Sequence, residues 1–242
     1  MLFEDSSLID IADQELLMGA SYGSNVTVSE IIVMASSGGG NSVEVNYDYY
    51  QQNVRPDRDE AAFEAWSDTF RQEVEVFGAS HVTGDPNSPV YQQAREAMQA
   101  LYALAKIMVA DPHQVNTSYF PAPGGTLTWT ELLQSVEHTR IDVGPHSLSF
   151  PAWTDVSGTD NIIHIDPVRL TDYTNAFGPV EGLNYVIYHE LAHASIDGEA
   201  GALNPNREAI TNEYGQILAG INGAVYPTDS ELALVGGTVP RT

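Results

Sequence analysis

The segment His189-Glu190-Leu191-Ala192-His193 sets two imidazoles four residues apart, with a carboxylate directly after the first. On an α-helix, residues i and i+4 stand one turn above each other on a single face, so both rings can reach one ion. Glu190 lies about 100° round the helix from His189, which keeps it from ligating yet near enough to take a proton from a metal-held water. The chain has no cysteine, so thiolate sites are excluded and any metal must be held by imidazole and carboxylate. Zn2+ suits that donor set, because three protein ligands leave a fourth tetrahedral position to water and lower its pKa towards about 7. The chemistry expected is hydrolysis by metal-activated water, with Glu190 as general base and later as proton donor to the leaving group. The competing expectation is a non-catalytic binding or structural domain in which the same two histidines are inert.

A helix must carry this segment, and residues 180–196 supply one, with Leu183, Val186, Ile187 and Leu191 for burial. A third ligand has to come from elsewhere. Glu208 and Glu213 both lie on a following helix that Asn204 can cap and Pro205 can start. They are five residues apart, about 140° round, and cannot both face one ion. Glu199, nearer the motif, is a further candidate.

The stretch Arg207-Glu208-Ala209-Ile210-Thr211-Asn212-Glu213-Tyr214-Gly215 resembles the second motif of thermolysin-like metallopeptidases, the gluzincins, whose glutamate helix reads N-E-A-I-S-D followed by an aromatic residue and glycine. The resemblance covers about 184–215. It implies Glu208 as the third zinc ligand, with Glu213 as the rival, and Asn212 in the place of an aspartate that orients a zinc-bound histidine. Residue i+4 shares the ligand's face, and its amide oxygen can accept the other ring N–H of His189 or His193. Small metallopeptidase toxins delivered by bacterial secretion systems are similar too, with H-E-L-x-H-A followed by a glutamate helix. The fold so implied is α+β and zincin-like: a small twisted sheet, an active-site helix and a glutamate helix, preceded by an N-terminal β-region. The substrate implied is a protein or peptide, cleaved by an endopeptidase.

An oxyanion donor is needed near the metal. Tyr226, in the loop after the glutamate helix, is the first choice, and Tyr214, Tyr188 and His164 are the others. His81, His113, His138 and His146 fall in loops or at element ends and are expected in surface or capping roles. No G-x-S-x-G elbow supports a serine hydrolase.

The elements that position these residues are legible in outline. Residues 1–55 are expected as a β-rich region, with strands over 26–34 and 43–50 joined through Gly38 to Gly40, and 56–242 as the metallopeptidase domain. The G-G-G-N-S run, a single unrepeated copy, is read as a linker rather than a calcium repeat. A helix over 59–77 should stop at Gly78, and a second, capped by Ser88 with Pro89 in its first turn, should end at Asp111-Pro112. Residues 118–125 are read as a loop and 129–138 as a short helix. Strand-like pieces follow at 141–143, 148–150 and 161–166, then a loop up to about 179. The last of these strands is the expected edge against which an extended substrate would pair.

Bulk composition sets the outer limits. At 242 residues and 43% apolar content the chain can bury a substantial core. Its formal charge of -24, from 33 acidic against 9 basic residues with Lys106 the only lysine, makes nucleic acid a poor partner. No apolar run approaches the roughly 18 residues needed to insert in a bilayer, and the acidic stretch from Met1 to Gly23 does not read as a secretory signal. A bacterial protein secreted without an N-terminal signal is the expected setting, ahead of a cytoplasmic one.

Overall fold

The computed structural model describes residues 32–37, 40–55, 59–113, 115, 118–122, 125–147, 150–156, 159–200, 207–222, 224–228 and 231. It is an α+β structure. The first elements form an antiparallel hairpin, β1 (Ile32–Ser37) and β2 (Gly40–Val45), with Ile32 opposite Val45. The expected second strand ends earlier than its β-rich composition suggests. Asn46 accepts from the backbone N–H groups of Asp48 and Tyr49 and so caps a helical turn, Tyr47–Tyr49, that runs into a π-helical stretch, Tyr50–Val54. Tyr49 and Tyr50 thereby turn into the core.

Two long helices follow. In α1 (Glu60–His81) Asp59 caps by accepting from Ala62 N, and Phe70, Val74 and Phe77 are buried at helical spacing. Gly78 does not stop this helix. It lies inside α1, where a Cβ would stand 2.5 Å from Gln99 Cγ, so the glycine serves close packing against α2 (Pro89–Ala110). Ser88 is at the N-cap of α2 but makes no side-chain cap bond, and Pro89 alone marks the start. Leu101, Leu104 and Ile107 of α2 are fully buried, which makes it the central helix of the core.

The expected loop over 118–125 is a hairpin, β4 (Ser118–Ala122) with β5 (Gly125–Thr128). Thr128 then opens α3 (Trp129–Glu137) with a reciprocal capping box to Glu131, and seats Trp129 fully out of water.

The main sheet has four strands: β3 (Val82–Thr83), β6 (Thr139–Val143), β7 (Ala152–Asp155) and β8 (Asn161–Ile165), in the order β3-β6-β8-β7. β3, β6 and β8 are parallel and β7 is antiparallel to β8. The expected edge strand is therefore corrected: β8 is internal, and the edge is β7. Of the strand expected over 148–150, Leu148 and Ser149 lie outside the described residues, Phe150 is not in a strand, and the strand itself begins at Ala152. β-Alternation sends Ile141, Val143, Ile163 and Ile165 to the helix-covered face and leaves Asp142 and His164 on the other.

The segment between β8 and the motif is not all loop. It contains α4 (Thr171–Phe177), ended by Gly178 at φ +96°. Then come α5 (Pro179–Ala200) and α6 (Arg207–Ile221). Asn204 and Pro205, the expected cap and start of α6, lie outside the described residues. No helix among the described residues is long and apolar enough to cross a membrane.

Candidate metal centre

α5 is buried almost all round from Leu183 to Ala194, and within that apolar stretch His189, Glu190 and His193 are buried as well. Three ionisable side chains in such a place are costly unless each finds a charged or hydrogen-bonding partner. Each does. His189 Nε2 stands 3.4 Å from Glu208 Oε2, and His193 Nε2 stands 3.7 Å from Glu208 Oε1. The two rings are 4.8 Å apart and nearly perpendicular. α5 and α6 run antiparallel, so residues near the end of α5 face the beginning of α6 and the earlier turn faces Asn212.

These residues fit a tetrahedral cation. Two donors bonded at about 2.0 Å on a tetrahedron lie about 3.3 Å apart, close to both His–Glu208 separations. One ligand atom from each of His189, His193 and Glu208 falls within 4.8 Å of the others. Behind the ligand set, His189 Nδ1 is 2.9 Å from Asn212 Oδ1, an acceptor, so a ring with a single proton can keep it on Nδ1 and turn the Nε2 lone pair to the site. Thr211 Oγ1 sits 3.4 Å from His193 Nδ1 in the corresponding position. When they carry a proton on Nε2, the rings of His189 and then His193 hold the Glu208 carboxyl well below the usual carboxylate range, against the burial that pushes it up.

Glu190 faces the sheet. The hydroxyl of Thr154, on the edge strand β7, is 2.6 Å from Glu190 Oε2 and donates to it. β7 is tied to the motif helix by the same residue, since Thr154 Oγ1 is also 3.1 Å from the Glu190 carbonyl. On the next strand, Asn161 Nδ2 donates to Ala194 O at 2.9 Å and so ties β8 to the motif helix too.

Of the residues expected at the site, His189, His193, Glu208 and Asn212 are brought together, and Glu190 on the same helix is held by Thr154. Glu213 is not: it is exposed, on a different face of α6 from Glu208. The side chain of Glu199 lies outside the described residues. Tyr226, the first choice as oxyanion donor, has its hydroxyl buried over Gly215, where a Cβ would stand 2.7 Å from it, and its ring 5.4 Å from Tyr185. Tyr188 is turned into the core, where Asn222 Nδ2 donates to its hydroxyl at 2.9 Å. Tyr214 is buried on the side of Glu131. His164 is on the sheet face away from Glu190, because its cross-strand partner is Trp153 while Thr154 takes the inner face.

Three site residues escape a reading of motifs alone. Thr154 and Tyr173 come from segments with no recognisable spacing. Tyr173 lies on α4, and its phenol is pushed up to about 12 by burial, to which the charge of Glu190 and then of Asp172 adds. It stands 5.7 Å, ring to ring, from Tyr185. Tyr185 lies one turn before His189 on the same helical face, a spacing that does mark it. Its ring is 5.4 Å from that of His189, and its hydroxyl donates to Asn212 Oδ1 at 3.3 Å. Burial above all raises the Tyr185 phenol, with Tyr173, Glu208 and Glu190 adding to the shift.

Compared with known proteins, the chain matches no family model, no curated protein and no solved structure.

Proposed function

We propose that this protein is a zinc-dependent endopeptidase of the zincin type, with a gluzincin-like ligand set of His189, His193 and Glu208. The observation that carries the proposal is the meeting of both imidazole Nε2 atoms on the two oxygens of one Glu208 carboxylate, inside a buried and otherwise apolar helix stretch. When bound there, zinc supplies Lewis acidity and makes water acidic enough to lose a proton near neutral pH.

The protein's own groups divide the remaining work. Asn212 holds His189 in the Nδ1–H tautomer, and Tyr185 holds Asn212. Glu190 takes a proton from the attacking water at the carboxylate oxygen not engaged by Thr154, and returns it to the leaving amine. β7 presents its outer edge beside the same carboxylate, and an extended peptide adds to such an edge by main-chain hydrogen bonds. Tyr226 and Tyr173, whose rings stand 5.4 and 5.7 Å from that of Tyr185, are the candidate donors to the developing oxyanion.

The test is Glu190→Gln, assayed on casein and on a peptide library. The variant should bind zinc as the wild type does and lose about 10²–10⁴-fold in kcat. A wild-type protein that takes up zinc stoichiometrically yet cleaves no peptide at all would show an inert site instead.

A further inference from the structure

The face of the main sheet turned away from the helices carries a second cluster with the chemistry of a metal site. Asp142 on β6, His164 opposite it on β8, and His146 on the loop after β6 each offer a donor atom, all within 4.8 Å of one another. We propose that these three residues hold a divalent transition cation of the zinc class, separate from and independent of the centre on α5 and α6.

Three observations support it. Both His146 Nε2 and His164 Nδ1 are buried without a hydrogen-bond partner. Buried ring nitrogens are almost always bonded, so two such atoms beside one carboxylate call for a common ligand. His164 Nδ1 is 3.5 Å from Asp142 Oδ2, near the roughly 3.3 Å expected between neighbouring donors of a tetrahedral ion. Finally, the donors are oriented from behind, as ligands at metal sites are. Thr83 Oγ1 donates to Asp142 Oδ1 at 3.0 Å, which leaves Oδ2 for the ion. Trp153 stacks on His164 at 4.4 Å and meets His146 edge-on at 4.8 Å, and Asp166 Oδ2 accepts from His146 N at 3.4 Å.

Two imidazoles and one carboxylate exclude magnesium and calcium, which prefer all-oxygen shells, and suit zinc or cobalt. Asp142 is half exposed, so water can complete the shell from the solvent side. An ion here ties β6, its following loop and β8 together behind the strands that contact α5.

The experiment counts metal on the full chain after chelation and reloading with zinc or Co2+, by equilibrium dialysis at micromolar free metal. The His189→Ala/His193→Ala double variant should still bind one ion per chain, and its melting temperature should rise on adding zinc. Adding His146→Gln or, as a near-isosteric check on folding, Asp142→Asn should weaken that remaining ion by more than about 100-fold, beyond the loss typical of a supporting residue alone. With Co2+, the visible absorption of the double variant should vanish in parallel. The proposal is overturned if the folded double variant, checked by circular dichroism, binds no ion, or if its ion survives both further substitutions. Loss of the α5–α6 centre alone would leave every one of these readings unchanged.

Discussion

Asn212 offers the sharpest test of how the candidate centre is built. Its Oδ1 accepts from two groups, His189 Nδ1 at 2.9 Å and the Tyr185 hydroxyl at 3.3 Å. Replacing it with alanine strands both donors in a buried setting. A buried donor left without its acceptor costs about 1–3 kcal/mol, and a ring released from its acceptor also loses its fixed tautomer. At about 1.4 kcal/mol per tenfold, the loss in zinc affinity should be about 10–100-fold, the range found when groups behind metal ligands are removed. Asn212→Asp should move affinity the other way, because a charged acceptor bonds about twice as strongly as a neutral one. Competition against a chromogenic chelator measures both variants, with Glu213→Gln as the control, since that side chain is exposed and away from the site. An Asn212→Ala protein that is folded and binds zinc like the wild type refutes the arrangement, and a Glu213→Gln variant with weakened zinc would do the same.

Other perturbations reach different parts of the structure. Thr154→Val removes the hydroxyl that holds Glu190 Oε2 while keeping the strand's shape; kcat on a cleavable peptide should fall about tenfold, for a bond of about 1.4 kcal/mol, with zinc content unchanged. Gly182→Ala places a methyl 2.5 Å from the Tyr173 backbone carbonyl, where no side chain can yield, so α4 must move off α5; thermal unfolding should show a loss of about 1–3 kcal/mol, with activity reduced alongside as Tyr173 shifts. Asp166 is held below the usual carboxylate range: burial pushes it up, but backbone N–H groups of Val168 and His146 and the charge of Arg169 pull it further down. Its folded value is the lower one, so its contribution is complete at neutral pH and is lost as pH falls below about 4; denaturation of Asp166→Ala against wild type should show a gap of roughly 1 kcal/mol at pH 7 that closes in acid.

The reading from sequence was strongest where local periodicity and short motifs decide the outcome. The two long helices and the motif helix follow from apolar spacing, and the Asn212 partnership follows from counting one turn from Glu208. It failed where tertiary contact overrides local preference. Gly78 reads as a stop signal, yet the close approach of Gln99 requires a glycine inside the helix. Pro and Gly over 118–125 read as loop, but a hairpin accommodates Pro121 on a two-stranded edge. Strand order is not written in any one segment: β8 has the composition of a β-strand, and only its pairing with both β6 and β7 makes it internal. The same holds for Thr154, Tyr173 and the Asp142–His146–His164 cluster, whose members acquire meaning through register and not through spacing along the chain.

If the protein is the peptidase proposed above, the edge position of β7 limits what can be cut. A chain segment that zips onto its outer rim must be fully stretched and must offer amide hydrogens at every second position. Helical or tightly coiled regions of a target are therefore unreadable until they unravel, and a proline at one of the pairing positions should shield its neighbours from hydrolysis.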